Sequence, residues 1–120
     1  MVIDDDEDDL EIFVAAVNEI SDSATCTPVS DATTALNSLR ANSLTPDVIF
    51  LDLNMPVMNG RQFLTIIKSD DNLKSIPVII FSTSSHSETI EETRQLGADG
   101  FITKPNSFAS LKEVLSGYIE

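Results

Sequence analysis

Tryptophan is missing from this chain of 120 residues, cysteine and tyrosine occur once each, and lysine and arginine together number only 7 against 20 aspartates and glutamates. Each shortage excludes something. A single cysteine, Cys26, permits no internal disulfide, which fits a reducing cytosol. With a formal net charge of −13 and no basic patch, the chain lacks the electrostatic footprint that holds a phosphate backbone, so direct nucleic-acid binding is not expected. No apolar run approaches the roughly 20 residues that span a bilayer, and no charged segment followed by an apolar one marks export. A cytoplasmic domain without membrane insertion is therefore expected. Internal repeats, low-complexity tracts and linkers are absent too. What remains is an ordinary globular composition, 42% hydrophobic with 6 phenylalanines. Residues 1–120 read as one domain, large enough for a single core but not for a second module.

The apolar residues follow two alternating patterns. Leu10, Phe13, Val14 and Val17 fall at helical spacing with Ile20 one turn further on, so residues 7–20 read as an amphipathic helix. Asp8 and Asp9 lie in its first turn, where the helix dipole favours acids. An extended segment, ATCTPVS at 24–30, precedes a second helical stripe of Ala32, Ala35, Leu36 and Leu39, with Asp31 as N-cap and Thr45 and Pro46 as its stop. DVIFLDL at 47–53 has a continuous β-branched and aromatic centre, too short for a typical helix and suited to a central strand covered on both faces. NMPVMNG at 54–60 supplies turn-formers before Phe63, Leu64, Ile66 and Ile67 mark a third helix. PVIIFS at 77–82 opens on a proline, the position where a strand tolerates one. Ser85 and Glu88 have capping-box form for a fourth helix ending at Gly97. GFITKP at 100–105 is a further strand, and Phe108, Leu111, Val114, Leu115 and Tyr118 make a final helical stripe. Strands alternating with helices imply right-handed βαβ units, hence an α/β doubly wound parallel sheet with helices on both faces.

In open parallel sheets, ligands bind beyond the carboxyl ends of the strands. Those ends carry Asp4 and Asp5 on the first strand, Asp52 on the central one, Ser82 and Thr83 on the next, and Lys104 followed by Pro105 on the last. Three carboxylates, two hydroxyls and one ammonium, far apart in sequence, thus converge on one edge. The acidic opening MVIDDDEDDL divides accordingly: Asp4 and Asp5 end a strand, Asp8 and Asp9 start a helix, and Asp6 and Glu7 are loop or cap. Only Met1, Val2 and Ile3 precede Asp4, so the first strand is unusually short unless the natural domain begins earlier. A calcium loop does not fit, because Asp9 stands where the loop needs its glycine and Ala15 where it needs its final glutamate. His86 has no second histidine or paired cysteine with which to build a transition-metal site and reads as an exposed loop residue, while Cys26 reads as partly buried.

Four ordered segments, VIDDDEDD, DVIFLDLNMPVMNG, PVIIFSTSS and GADGFITKP, make the chain resemble a receiver domain of a two-component response regulator over nearly its full length. The resemblance implies a flavodoxin-like fold, a five-stranded parallel sheet in the order 2-1-3-4-5 with five flanking helices. It implies that Asp52 accepts a phosphoryl group from a phosphohistidine on a histidine kinase or histidine phosphotransfer protein. By the same resemblance Mg2+ (or Mn2+) is held by Asp5 and Asp52 directly, by Asp4 largely through water, and by the backbone carbonyl of Asn54, a hard-oxygen set that such a cation accepts. Lys104 would pair with a phosphoryl oxygen, and the Ser82 hydroxyl and Thr83 N–H would complete the oxygen shell. Pro105 is expected to follow a cis bond that turns Lys104 inward.

Phosphorylation should then draw Ser82 inward, with Phe101 filling the space behind it. This biases the face formed by the fourth helix, fifth strand and fifth helix, which a downstream protein reads or a homodimer uses. Phe101 lacks the phenolic hydroxyl that many relatives carry there, which leaves a switch made by aromatic packing. Ser82 keeps the hydroxyl of the commoner Thr without its methyl, and Asn54 and Ser84 flank the site where relatives tune dephosphorylation. On this reading the domain is a phosphoacceptor switch rather than an enzyme, at most assisting its own phosphorylation and dephosphorylation. With no effector domain in the chain, a stand-alone receiver, a phosphorelay shuttle or a domain of a longer protein is expected. Two other classes compete. A phosphorylation-independent interaction module is disfavoured by the joint presence of Asp4, Asp5, Asp52, Ser82 and Lys104. A haloacid-dehalogenase-type phosphatase needs an aspartate two residues after its nucleophile, where this chain has Asn54.

Overall fold

A computed structural model of the protein describes residues 1–41, 45–84 and 86–119. Strands and helices alternate along it as β1 (Val2–Ile3), α1 (Glu7–Ile20), β2 (Pro28–Val29), α2 (Ala32–Arg40), β3 (Ile49–Leu51), α3 (Gly60–Ser69), β4 (Val78–Ser82), α4 (Ser87–Gln95), β5 (Gly100–Thr103) and α5 (Phe108–Leu115). All strand pairs are parallel and the sheet runs β2-β1-β3-β4-β5, the flavodoxin-like order expected.

Local chemistry explains where the helices start. Asp6 accepts from the backbone N–H groups of Asp8 and Asp9, Asp31 from Thr34, and Ser107 from Ser110. Asn59 and Gln62 form a reciprocal capping box at the head of α3. Each cap of this kind is worth about 1 kcal/mol. Helix α4 is the exception: its N-cap is His86, whose side chain makes no capping bond, and the expected cap Ser85 lies outside the described residues. Its other end is as expected, with Gly97 following at φ 109°.

Alternation along the strands sorts their side chains onto two faces. Ile3, Ile49, Leu51, Val78 and Ile80 pack against α2 and α3 through Leu36, Leu39, Phe63, Leu64 and Ile67. Val2, Phe50, Ile79, Phe81 and Ile102 pack against α1 and α5 through Leu10, Phe13, Val17, Leu111 and Leu115. Phe13 sits over the sheet between Phe50 and Phe81, with ring centroids 5.0 and 5.4 Å away. Because β3 and β4 are covered on both sides, they appear in sequence as unbroken apolar runs. Tyr118, expected in the last helical stripe, lies past the end of α5, with its ring edge-on to Phe50.

The first strand is indeed short, yet it is firmly placed. Phe50 donates to the Met1 carbonyl at 2.9 Å, Asp52 to Ile3 at 3.0 Å, and Asp4 to Val29 at 3.1 Å. The register Val2 to Phe50 and Ile3 to Leu51 therefore brings Asp4 beside Asp52, two residues beyond Val2 and Phe50 on the α1 and α5 face. Lys104 follows Ile102 onto that face by the same alternation. Among the described residues, no helix is long and apolar enough to cross a membrane.

Candidate functional site

Asp4 and Asp52 are buried, at 2% and 6% exposure, where β1 and β3 end, and Asp5 stands exposed beside them. One carboxylate oxygen from each of the three lies within 4.8 Å of the others. The Lys104 ammonium reaches across from the end of β5, donating to Asp4 Oδ2 at 2.8 Å and to Asp9 Oδ2 at 3.0 Å, with Asp52 Oδ1 at 3.7 Å. Its Nζ stands 5.6 Å from the centroid of the Phe81 ring.

The backbone sets these positions. The Lys104 N–H donates to the Ser82 carbonyl at 2.7 Å, carrying the β4–β5 ladder one residue past the pair of Ser82 and Thr103. Beneath Asp52, the Gly60 N–H donates to the Leu53 carbonyl at 3.0 Å. A Cβ at position 60 would meet the Asp52 carbonyl oxygen at 2.4 Å and Leu53 Cα at 2.7 Å. Only glycine lets α3 begin so close to the strand it follows.

Burial pushes the Asp52 carboxyl up to about 6; the Lys104 ammonium and the Asn54 backbone pull it back, while Asp4 and Asp5 add to the upward push. Burial also works against the charge of Lys104, but hydrogen bonds to Asp4 and Asp9 and the charges of Asp52 and Asp4 outweigh it, so the lysine is held above its ordinary value as an ammonium. The donor set of Asp4, Asp5 and Asp52 consists of hard oxygens that suit Mg2+ or Mn2+. A cation at this point would offset the upward push on Asp52.

Asp4, Asp5, Asp52 and Lys104 thus meet as expected, and Asn54, exposed, lies two residues after Asp52 in the loop beyond β3. Ser82 is fully buried at the end of β4 and its hydroxyl accepts from the Ser84 N–H at 3.2 Å, while Thr83 is exposed. Ser82 continues Ile80 onto the α2 and α3 face, and Phe101, half-buried against that same cluster, pairs with Ile80 one step short of it. Phe101 is therefore beneath Ser82 but not beside the carboxylates.

One expectation is overturned. The bond from Lys104 to Pro105 is trans, as is every described peptide bond. Lys104 turns inward without a cis bond because its N–H is fixed on Ser82 and its ammonium is drawn by Asp4 and Asp9.

Asp9, a helix-start charge in the sequence, is in the structure also a partner of Lys104 across 95 residues. Its signal in the sequence was its place four residues before Phe13, at the head of the buried stripe of α1. His86 is exposed and Cys26 half-buried, as expected. A cleft of about 550 Å³ lined by Met1, Cys26, Asp47 and Tyr118 lies at the opposite ends of the strands, away from the carboxylates.

Residues 1–116 match the family model of the response regulator receiver domain. The chain is 38% identical over 90 residues to the chemotaxis protein CheY-3 of Vibrio cholerae serotype O1, an alignment spanning 75% of this chain and 68% of that protein. Among solved structures, it is similar to the phosphorylated cyanobacterial phytochrome response regulator RcpA, with a TM-score of 0.88 and 33% identity over 98% of this chain and 87% of that one. It is also similar to the Mn2+-bound form of response regulator Rcp1, with a TM-score of 0.81 and 26% identity over 99% and 92% of the two chains.

Proposed function

We propose that this chain, which belongs to the family of response regulator receiver domains, accepts a phosphoryl group from a phosphohistidine of a histidine kinase or phosphotransfer protein onto Asp52. The observation that carries the proposal is the meeting of Asp4, Asp5 and Asp52 within reach of one cation, with the Lys104 ammonium bonded across them. A carboxylate oxygen of Asp52 attacks phosphorus; the new O–P bond forms as the P–N bond breaks, and the electron pair leaves on the imidazole nitrogen. Asp52 must be ionised for this, and with its pKa near 6 it is mostly so at neutral pH. Asp4, Asp5, Asp52 and the Asn54 carbonyl would hold Mg2+ or Mn2+, which when bound would supply positive charge against the phosphoryl oxygens. Lys104 binds one of those oxygens, and the Ser82 hydroxyl and Thr83 N–H serve the others. The Mn2+-bound state of the similar Rcp1 structure supports this choice of cation.

The domain then acts as a switch rather than as a turnover enzyme, in a cytoplasmic setting. Helix α4 suits the moving part: it buries only Thr93, whose hydroxyl bonds back to the Thr89 and Ile90 carbonyls of the same helix. Its tie to α3 is the ion pair of Arg61 with Glu92, both partly exposed. A helix with so little buried surface costs the least to shift. Phe101, on the adjoining strand, carries the change from Ser82 by packing, and the α4-β5-α5 face docks a downstream protein or a second copy of the chain. The proposal predicts that beryllofluoride with Mg2+ forms a stable adduct on the wild-type protein, visible by fluorine NMR, and none on Asp52→Asn. A wild-type protein that forms no adduct overturns it.

A further inference from the structure

Three carboxylates surround the Lys104 ammonium, and they are not equivalent. Asp4 and Asp52 belong to the cation triad with Asp5, whereas Asp9 does not. The ammonium carries three N–H donors. Asp4 and Asp9 accept two of them, and Asp52 at 3.7 Å is beyond hydrogen-bond length. A cation that drew on Asp4 would weaken that carboxylate's hold on Lys104 and leave Asp9 as the hydrogen-bonded acid outside the triad.

Asp9 is well placed for such a task. Its backbone N–H is fixed by the Asp6 carboxylate at 3.3 Å, so the first turn of α1 holds it over the sheet edge. Its side chain is 38% exposed against 14% for Lys104. An acid with this access to water binds an ammonium less firmly than a buried one does, which makes the contact one that a phosphoryl group can displace.

We propose that Asp9 is a positioning residue: it holds the Lys104 ammonium at the mouth of the site and competes with the phosphoryl group for it, thereby limiting how tightly that group is held on Asp52. The inference rests on the phosphoacceptor reading above. The alternative is that Asp9 merely ties α1 to the end of β5, in which case its loss loosens the site and weakens every ligand.

The experiment measures beryllofluoride affinity at saturating Mg2+ for the wild-type protein and for Asp9→Asn, Asp9→Glu and Asp8→Asn. Asp8 is exposed in the same helical turn and controls for the general loss of a charge. Asp9→Asn is expected to bind about fivefold more tightly, the scale of a partly exposed charge-assisted contact. Asp9→Glu, which keeps the acid, should stay within about twofold of wild type, and so should Asp8→Asn. Mg2+ affinity without beryllofluoride should move the other way in Asp9→Asn, because the freed ammonium then leans on Asp4. Beryllofluoride affinity that falls in Asp9→Asn, or that changes no more than in Asp8→Asn, overturns the inference while leaving the phosphoacceptor reading standing. Failure of the wild type to bind beryllofluoride overturns both.

Discussion

Two lysines sit at opposite ends of this sheet with nearly the same exposure, 14% for Lys104 and 15% for Lys68. At the amino ends of β4 and β5, the Lys68 ammonium donates to the carbonyls of Lys74 and Ile76 and to Asp99 Oδ2, at 3.0, 2.9 and 3.0 Å. Three donors meet three acceptors, two of which are backbone, and Asp99 also accepts from the Val78 N–H at 2.8 Å. That arrangement is complete and fastens α3 to the strands. At the carboxyl ends, the hydrogen-bond and ion-pair partners of Lys104 among the described residues are carboxylates, two bonded and one held off at 3.7 Å. Acids there outnumber the one ammonium: burial raises the pKa of Asp52, Lys104 pulls it back, and the charges of Asp4 and Asp5 add to the upward push. A satisfied lysine makes a clasp, whereas a lysine outnumbered by acids leaves carboxylate oxygens that could serve a cation.

Truncating each lysine tests the contrast most strongly. Lys104→Met leaves Asp4 and Asp52 buried without their counter-charge and should cost about 3 kcal/mol at pH 7, lowering Tm by about 10 °C. Millimolar Mg2+ should restore most of that loss, because the cation takes over the neutralisation. Lys68→Met should cost about 2 kcal/mol by removing the bonds to Asp99 and two carbonyls, that to Ile76 being part-buried, and Mg2+ should restore none of it. Thermal melts with and without Mg2+ decide the matter. Equal rescue of both variants, or of neither, would break the comparison.

Asp52→Asn should act in the opposite direction. The folded-state pKa of Asp52, about 6, lies above the ordinary aspartate value of 3.8. A raised pKa means that the folded state holds the proton more firmly, so stability is full below about 4 and is lost as pH rises through 6. Removing the charge should therefore stabilise the cation-free protein at pH 7 by on the order of 2 kcal/mol. The gain should vanish below about pH 4 and shrink in Mg2+, which relieves the same charge in the wild type. Denaturation midpoints across pH measure it, and a gain that persists at low pH would assign the effect to packing instead.

The two ends also differ in how far the sequence disclosed them. Alternation and strand-end position placed Asp4, Asp5, Asp52 and Lys104 together, because register is a local property that the apolar pattern carries along each strand. Helix α1 over residues 7–20 was legible for the same reason. Asp9 was not recognised as a partner of Lys104, since an acid in a first helical turn is already accounted for by the helix dipole and its reach across the fold is tertiary. The Lys68 clasp stayed hidden for a similar reason: its main acceptors are backbone carbonyls, which leave no mark on residue identity. The expected cis bond before Pro105 came from family likeness alone, and the hydrogen bonds that hold Lys104 inward take its place.

The smallest expected effect concerns backbone conformation. Both ends contain a residue at positive φ, Gly97 at 109° beside the clasp and Val57 at 67° in the loop after Asp52. At position 97 the demand is met by glycine, and a Cβ there would meet Lys68 Cγ at 2.8 Å. At position 57 a β-branched residue stands at the centre of a γ-turn, closed by the Met58 N–H donating to the Pro56 carbonyl at 2.8 Å, and its side chain is 98% exposed. No packing offsets the strain of that turn. Val57→Gly relieves it, less the added freedom of the unfolded chain, and should raise stability by about 1 kcal/mol. Tm should rise by roughly 4 °C, whereas Gly97→Val should lower it through both the torsion and the contact with Lys68. Because glycine keeps the turn, beryllofluoride affinity of Val57→Gly should change by less than about twofold. A Val57→Gly protein that melts lower than wild type would show that the valine, though solvent-exposed, holds this loop in place.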